Sequence, residues 1–184
     1  MQIVFLSIGI LGLFMFYFGA KTLIKKYKSK AIAETNLSEN ISELTIEKKG
    51  LYAVCIVGGG HAENKGDFDL YISNNGNQLD VYEKQMKYKF RHNGKLATEF
   101  YQFEVENSGN YKFEFKNIAD LQVKESMLSP IRILQNKLPE NKIGIVIKET
   151  MPIPKFIIGL LMTVFGFNIA GWGVILAFNP HLYK

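Results

Sequence analysis

The side chains best suited to chemistry gather in VGGGHAENKGD, residues 57–67, where His61, Glu63 and Asp67 follow three consecutive glycines. A glycine-rich turn after a strand can cradle phosphate on its backbone amides, but the known fingerprints then open a helix. Here the glycines lead into HAENKGD, with neither a Gly-Lys-Ser/Thr ending nor a further spaced glycine. The imidazole and the two carboxylates have donor types that suit a metal. No second histidine stands nearby, so the plainer expectation is a hairpin loop at the end of a β-domain. Cys55 would need a base to act as a nucleophile. Between Val54 and Ile56 it reads as a buried, inert strand thiol. His92 and His181 have no implied partner, and Asp67 and Asp69 project from one strand face into water. Nothing assembles acid, base and nucleophile. The sequence therefore nominates no catalytic residue, no metal ligand and no cofactor.

Two basic features remain. Lys87, Lys89 and Arg91 alternate with Met86, Tyr88 and Phe90, which turns the aromatics inward. A nucleic-acid surface needs stacking aromatics on its basic face, so this one is a solvated or lipid-facing strand. In FGAKTLIKKYKSK, residues 18–30, Lys21, Lys25, Lys26, Lys28 and Lys30 follow an uncharged run. Lysines placed this way suit an anionic membrane leaflet, where each is worth about 1 kcal/mol of attraction.

That second feature points to the elements behind it. The chain has 184 residues, 47% hydrophobic and 21% charged, yet charge is absent from residues 1–20 and 156–183. A bilayer core of about 30 Å needs roughly 20 apolar residues, so residues 2–20 and 156–178 read as two transmembrane helices. No lysine or arginine precedes the first run, and Phe18 stands where a signal-peptide cleavage site wants a small residue. An uncleaved anchor is expected. Lys142, Lys148 and Lys155 precede the second span, while Lys184 is the sole lysine beyond it. The richer side faces the cytoplasm. The central domain is therefore expected there, with both termini opposite.

Within the second span, Gly159, Thr163, Gly166, Ala170, Gly173 and Ala177 recur at steps of four and three. That spacing keeps one seam toward a partner helix, and small residues let helices approach closely in lipid. Gly9, Gly12 and Gly19 offer a looser match in the first span, with Phe16 interrupting it. Asn168 points opposite the seam and is a candidate for a second intramembrane contact.

Between the spans, residues 21–42 read as a basic juxtamembrane segment and a polar linker or short helix, and residues 43–150 as an all-β domain. FDLYIS, QLDVYE, MKYKFR, YQFEVE and YKFEFK alternate apolar with polar residues, as half-buried strands do. LYAVCIV is apolar throughout and suits a central strand, and IGIVIK suits another that closes a sheet. NNGN, HNGK and NSGN supply turn residues that tolerate positive φ. IRILQNKL, between Pro130 and Pro139, reads as a helical turn or a crossover. The sum is an antiparallel sandwich or jelly-roll between two transmembrane helices, with residues 179–184 as a tail.

FYQFEVENSGNYKFEFKN, residues 100–117, resembles the late strand pair of GOLD-type β-sandwich domains. In that family, the resemblance implies, the domain sits beside a membrane span and takes part in cargo or partner recognition. Family members that act as cargo receptors face the lumen and carry paired cysteines, whereas this chain has Cys55 alone. No functional residue is carried over. The expected function is a membrane-tethered, non-enzymatic binding module for a membrane-associated protein partner, such as an assembly factor, a regulator or an immunity-type protein. A homo-oligomer, a membrane-surface enzyme using the His61 loop and a structural subunit of a membrane complex stay open. Beyond the lipid bilayer and such a protein, no nucleic acid is expected as a partner.

Overall fold

The computed structural model describes residues 1–39 and 41–183, the side chain of Ile41 excepted. Asn40, in the predicted linker, and Lys184, in the predicted tail, lie outside the described residues. The chain forms two compact units, one of residues 1–29 with those from Met151 onward, the other of residues 30–150.

The first unit holds helices α1 (Gln2–Tyr27) and α3 (Ile153–Phe178), each of 26 residues. At about 1.5 Å per residue each is roughly 39 Å long, and both are long and apolar enough to cross a membrane. α1 does not stop at Ala20. It continues through Lys21, Lys25 and Lys26, because lysine is a good helix former and favours a helix C-terminus. α3 starts three residues earlier than predicted. Pro152 precedes it and Pro154 sits in its first turn, where a missing N–H costs nothing.

The second unit is all-β and antiparallel. Its strands are β1 (Ala31–Asn36), β2 (Ile41–Ile46), β3 (Gly50–Val57), β4 (His61–Asn64), β5 (Asp69–Asn74), β6 (Asn77–Gln78), β7 (Val81–Glu83), β8 (Lys89–His92), β9 (Lys95–Val105), β10 (Gly109–Lys116), β11 (Leu121–Lys124) and β12 (Gly144–Glu149), with a short helix α2 (Ser129–Leu134). One sheet runs β1-β12-β3-β9-β7, with β8 also on β9; a second runs β2-β10-β5-β6; β4 and β11 make a small ribbon. The two larger sheets form a sandwich-like core in which Tyr52, Val54, Ile56, Phe103, Ile145 and Ile147 meet Ile46, Ile72, Tyr111 and Phe113. The Phe103 and Phe113 rings cross edge to face at 5.6 Å between centres, a geometry aromatic pairs prefer.

Four expectations are corrected. Residues 31–42, expected as linker, instead begin with β1, which pairs along β12 from Ala31–Lys148 to Asn36–Gly144. Its alternation of small and polar residues is weak, and β12's free edge supplies the missing hydrogen bonds. β12 therefore does not close the sheet but lies inside it. The expected loop after the glycines is partly strand, since His61–Asn64 pair with Leu121–Lys124. NNGN and HNGK form the expected tight turns, with φ of 49° at Asn75, 83° at Gly76, 47° at Asn93 and 79° at Gly94. NSGN does not, because Gly109 and Asn110 already pair with Ile46 and Thr45.

A bulge in β9 sets which residues face which way. Tyr101 lies opposite Val54 while Glu99 lies opposite Cys55, so Phe100 is the extra residue. One inserted residue inverts the alternation. Phe100 and Tyr101 both enter the core, and Glu99 turns to the sheet's other face beside Ala53, Cys55, Val57, Ala97 and Val146.

Candidate functional site

The predicted seam residues line the face of α3 that meets α1. A Cβ added at Gly166 would collide with the Phe16 amide and lie 2.8 Å from the Gly12 carbonyl oxygen. At Gly173 it would lie 2.5 Å from Gly9 Cα, and at Gly159 3.0 Å from Thr22 Cγ2. On α1, a Cβ at Gly19 would lie 2.6 Å from the Thr163 amide nitrogen, and one at Gly12 2.9 Å from Ala170 Cα. Ala170 and Ala177 are buried on the same stripe. Thr163 donates its hydroxyl to the Gly159 carbonyl at 2.8 Å, so its polar group is satisfied within its own helix. Phe16 does not interrupt the match. Its backbone meets Gly166 while its ring turns away to Phe167, 6.1 Å between centres.

Asn168 is exposed and donates to the Val164 carbonyl at 2.8 Å, which leaves its carbonyl oxygen for another partner. Lys21, Lys25, Lys28 and Lys30 are exposed, whereas Lys26 is buried with its ammonium 5.7 Å from the centre of the Phe156 ring. The desolvated ring face attracts that cation, which removes Lys26 from the set that can meet lipid headgroups.

His61, Glu63 and Asp67 do not converge. Among the described residues, no three His, Cys, Asp or Glu side chains could hold a metal ion. Asp67 is exposed and its amide donates to Asp120 at 2.9 Å. His61 has a different task. Its Nδ1 accepts from the Arg132 guanidinium at 2.9 Å, and its Nε2 lies 3.3 Å from Glu63 Oε2. An arginine can only donate, so Nδ1 is unprotonated and Nε2–H points to Glu63. Burial, aided by the charges of Arg132 and Lys89, holds the imidazole pKa below its ordinary 6.5 despite the pull of Glu63. Lys65, 2.9 Å from Glu63, is the main cause of that carboxyl's lowered pKa, with His61 adding to it.

Arg132 belongs to α2, and further polar ties hold the same segment. Lys124 Nζ donates to the Arg132 carbonyl at 2.8 Å, and the Ser126 amide donates to Gln135 Oε1 at 2.9 Å. The helix is thus fastened by its polar groups and shows its apolar ones outward. Met127, Leu128, Ile131, Ile133 and Leu134 are exposed, Ile133 by 76% and Leu134 by 89%. Surface helices normally bury that stripe, and a contiguous exposed apolar patch marks an interaction site. It lies beyond the end of β3 at Val57, since Met127 packs on Gly60. The chain leaves the unit at the opposite end, beside Leu51, whose carbonyl accepts the Thr150 amide. Six residues of strand separate the two ends, about 20 Å. The run IRIL is visible in the sequence, but its outward facing is not, because polar partners outside the helix hold it, His61 among them at 71 residues' distance.

A buried ionic cluster also escaped sequence reasoning. Glu99, fully buried, accepts from Lys84 at 2.6 Å and lies 3.4 Å from Lys148, both themselves buried. The Thr150 hydroxyl reaches the same carboxylate at 3.3 Å, and Lys148 Nζ lies 3.7 Å from the Phe90 ring centre. Residues 84–90 follow the edge of β9, with Lys84 N bonded to the Phe100 carbonyl and Tyr88's carbonyl accepting Glu99 N, and Phe90 packs on this face. Cys55 is wholly buried on the same face, its Sγ 4.0 Å from the Ala53 carbonyl. Lys87 leaves the expected basic face too, since it pairs with Glu83 at 2.6 Å and covers the Phe100 ring at 3.6 Å. His92 finds a partner in Glu34, 2.6 Å away. One carboxylate serves two ammonium groups, and the second of these also rests on the Phe90 ring, an arrangement that suits a structural role.

No protein-family model matches the chain, and no curated protein matches it either. The site that asks for an explanation outside the molecule is the apolar face of α2.

Proposed function

We propose that this chain is a membrane-anchored, non-enzymatic binding module whose β-domain docks a membrane-associated protein partner on the apolar face of α2. The observation that carries this reading is the reversed mounting of that helix, with Arg132 bound inward and Ile133 and Leu134 left in solvent. Aliphatic side chains held in place without cover suit the centre of a protein interface, where a few desolvated anchors supply most of the affinity. In this reading α1 and α3 span the bilayer as a hairpin. The exposed Lys21, Lys25, Lys28 and Lys30 set the β-domain on the cytoplasmic side by the positive-inside rule, and the outward Asn168 gives the partner a second contact. Anchoring raises the module's effective concentration for anything else at that surface.

The test is photo-crosslinking from position 134 in intact cells, followed by co-purification in mild detergent. One discrete protein should be captured by wild type and lost when Ile133→Asp and Leu134→Asp are combined, with Asn168→Leu weakening recovery further. A chain-to-chain product would make the partner a second copy. Recovery of the chain and lipid alone in every case would overturn the reading.

A further inference from the structure

At the sandwich end that carries the chain exits, the β5–β6 hairpin, β7 and the β9–β10 connection enclose an open cleft of about 600 Å³. Its chemistry is unlike the rest of a chain with net charge +5. Asp80, Glu104 and Glu106 line it, and neither lysine nor arginine does. A phosphate, a nucleotide or an anionic headgroup would meet three like charges and no counter-charge. Amides outnumber the acids, among them Asn77, Gln78, Gln102 and Asn107. An amide both donates and accepts, as a hydroxyl does, whereas an ammonium or guanidinium can only donate. Amides that both give and take hydrogen bonds, with the carboxylates as further acceptors, therefore suit a guest rich in hydroxyls. Tyr82 completes the set: its ring is 62% exposed at the cleft wall, a flat, rigid, amphipathic surface of the sort recognition sites use. Asn74 lines the cleft as well, and its Oδ1 is buried without a hydrogen-bond partner. Such an orphan is costly, and a small rotation of the amide would offer it to a hydroxyl in the cleft.

We infer that this cleft binds a neutral saccharide, with the Tyr82 ring against a sugar face and the amides and carboxylates on its hydroxyls. The inference is independent of the docking face on α2, which lies at the other end of the sandwich. The hydroxyls could belong to a free oligosaccharide or to a glycolipid headgroup.

The experiment uses the full chain in phosphatidylcholine nanodiscs, prepared without glycoside detergents. Saturation-transfer NMR probes it with maltotriose, cellotriose, mannotriose and triacetylchitotriose, each up to about 10 mM, which reaches even weak sites. At least one should receive saturation, and Tyr82→Ala or Gln102→Ala should weaken it by about tenfold. Tyr82 is too exposed for its truncation to unfold the domain, so the variant reads the site alone. Nanodiscs containing monogalactosyl diacylglycerol form the second arm. Loss of the trisaccharide signal there assigns the site to a lipid headgroup, and an unchanged signal assigns it to a soluble glycan. Silence from all four sugars, a signal that both variants retain, or tighter binding of trilysine would each overturn the inference.

Discussion

The helix pair and the β-domain solve the packing problem by opposite means. α1 and α3 meet where side chains are missing: Gly12 and Gly166, or Gly9 and Gly173, bring backbone against backbone. The sandwich closes with large side chains, and Tyr52, Phe100, Phe103 and Phe113 are almost wholly buried. In lipid or detergent no hydrophobic drive separates helix from solvent, so close fit must supply the attraction. In water, removing apolar area is itself the drive. One unit should therefore be most sensitive to atoms added, and the other to atoms removed.

The largest effect is expected from Gly166→Leu. Its new side chain would have to occupy the space of the Phe16 amide, so the helix pair should separate rather than adjust. Leu160→Ala, on an exposed position of the same helix, should leave the pair intact. Disulfide trapping between cysteines placed at positions 22 and 159, where an added Cβ meets the Thr22 side chain and no close backbone, with Cys55 replaced by alanine, reads this directly. Equal trapping in both variants would break the comparison.

In the sandwich the expected losses are smaller and come from deletion. Phe103→Ala should cost about 3–5 kcal/mol through a cavity. Glu99→Ala should cost about as much for another reason, since it strands Lys84 and Lys148 in the interior as uncompensated cations. Urea unfolding of the full chain, followed by circular dichroism of the β-domain, measures both. A combined Lys84→Met, Glu99→Leu and Lys148→Met variant sharpens the contrast. It should recover most of the Glu99→Ala loss, because a packed apolar set can replace a buried ion cluster at little cost. Failure to recover would mean that the ions do more than fill space.

The smallest effect is a pH dependence that the helix pair should lack. The folded state holds His61 with a pKa below 6.5, so the unfolded chain takes up its proton first as pH falls. The stability His61 contributes is thus present above pH 6.5 and lost on descending from there toward its lower folded midpoint. A protonated Nδ1 also cannot accept from Arg132, so α2 should loosen over the same interval. An NMR titration of His61, with amide exchange at Ile131–Leu134, checks it. Replacement by glutamine should abolish the pH-linked change in exchange.

The contrast between the units also explains what the sequence made legible. Charge-free runs and a stripe of small residues are local signals, and so are alternating strands such as YKFEFK. The reading failed wherever a distant residue decides the outcome. Residues 31–36 look like linker until β12 offers its edge. Glu99 looks like one more residue in an alternating strand until the Phe100 bulge inverts the alternation. Phe16 looks like an obstacle to a helix seam because the sequence shows its size and not its direction, and its ring turns to Phe167. The IRIL run reads as a helical turn or a crossover, and its outward face rests on polar ties such as Arg132–His61 that no local signal shows. The amide-rich cleft draws on β3, β5 and β9 with the connections between them, and no single stretch announces it.

The way the chain leaves the sandwich has a mechanical consequence. Its two exits lie on neighbouring antiparallel strands, with Ala31 opposite Lys148 at that end. Tension applied through the two helices would load the β1–β12 ladder as a zipper, one rung at a time from Ala31–Lys148, rather than in shear across all rungs together. β1 would peel first, because it is an edge strand, while β12 stays clamped to β3 from Lys148 to Gly144. The domain thus carries a compliant first stage: a pull on the two chain exits spends itself in freeing a few residues of β1 before the aromatic interior bears any force.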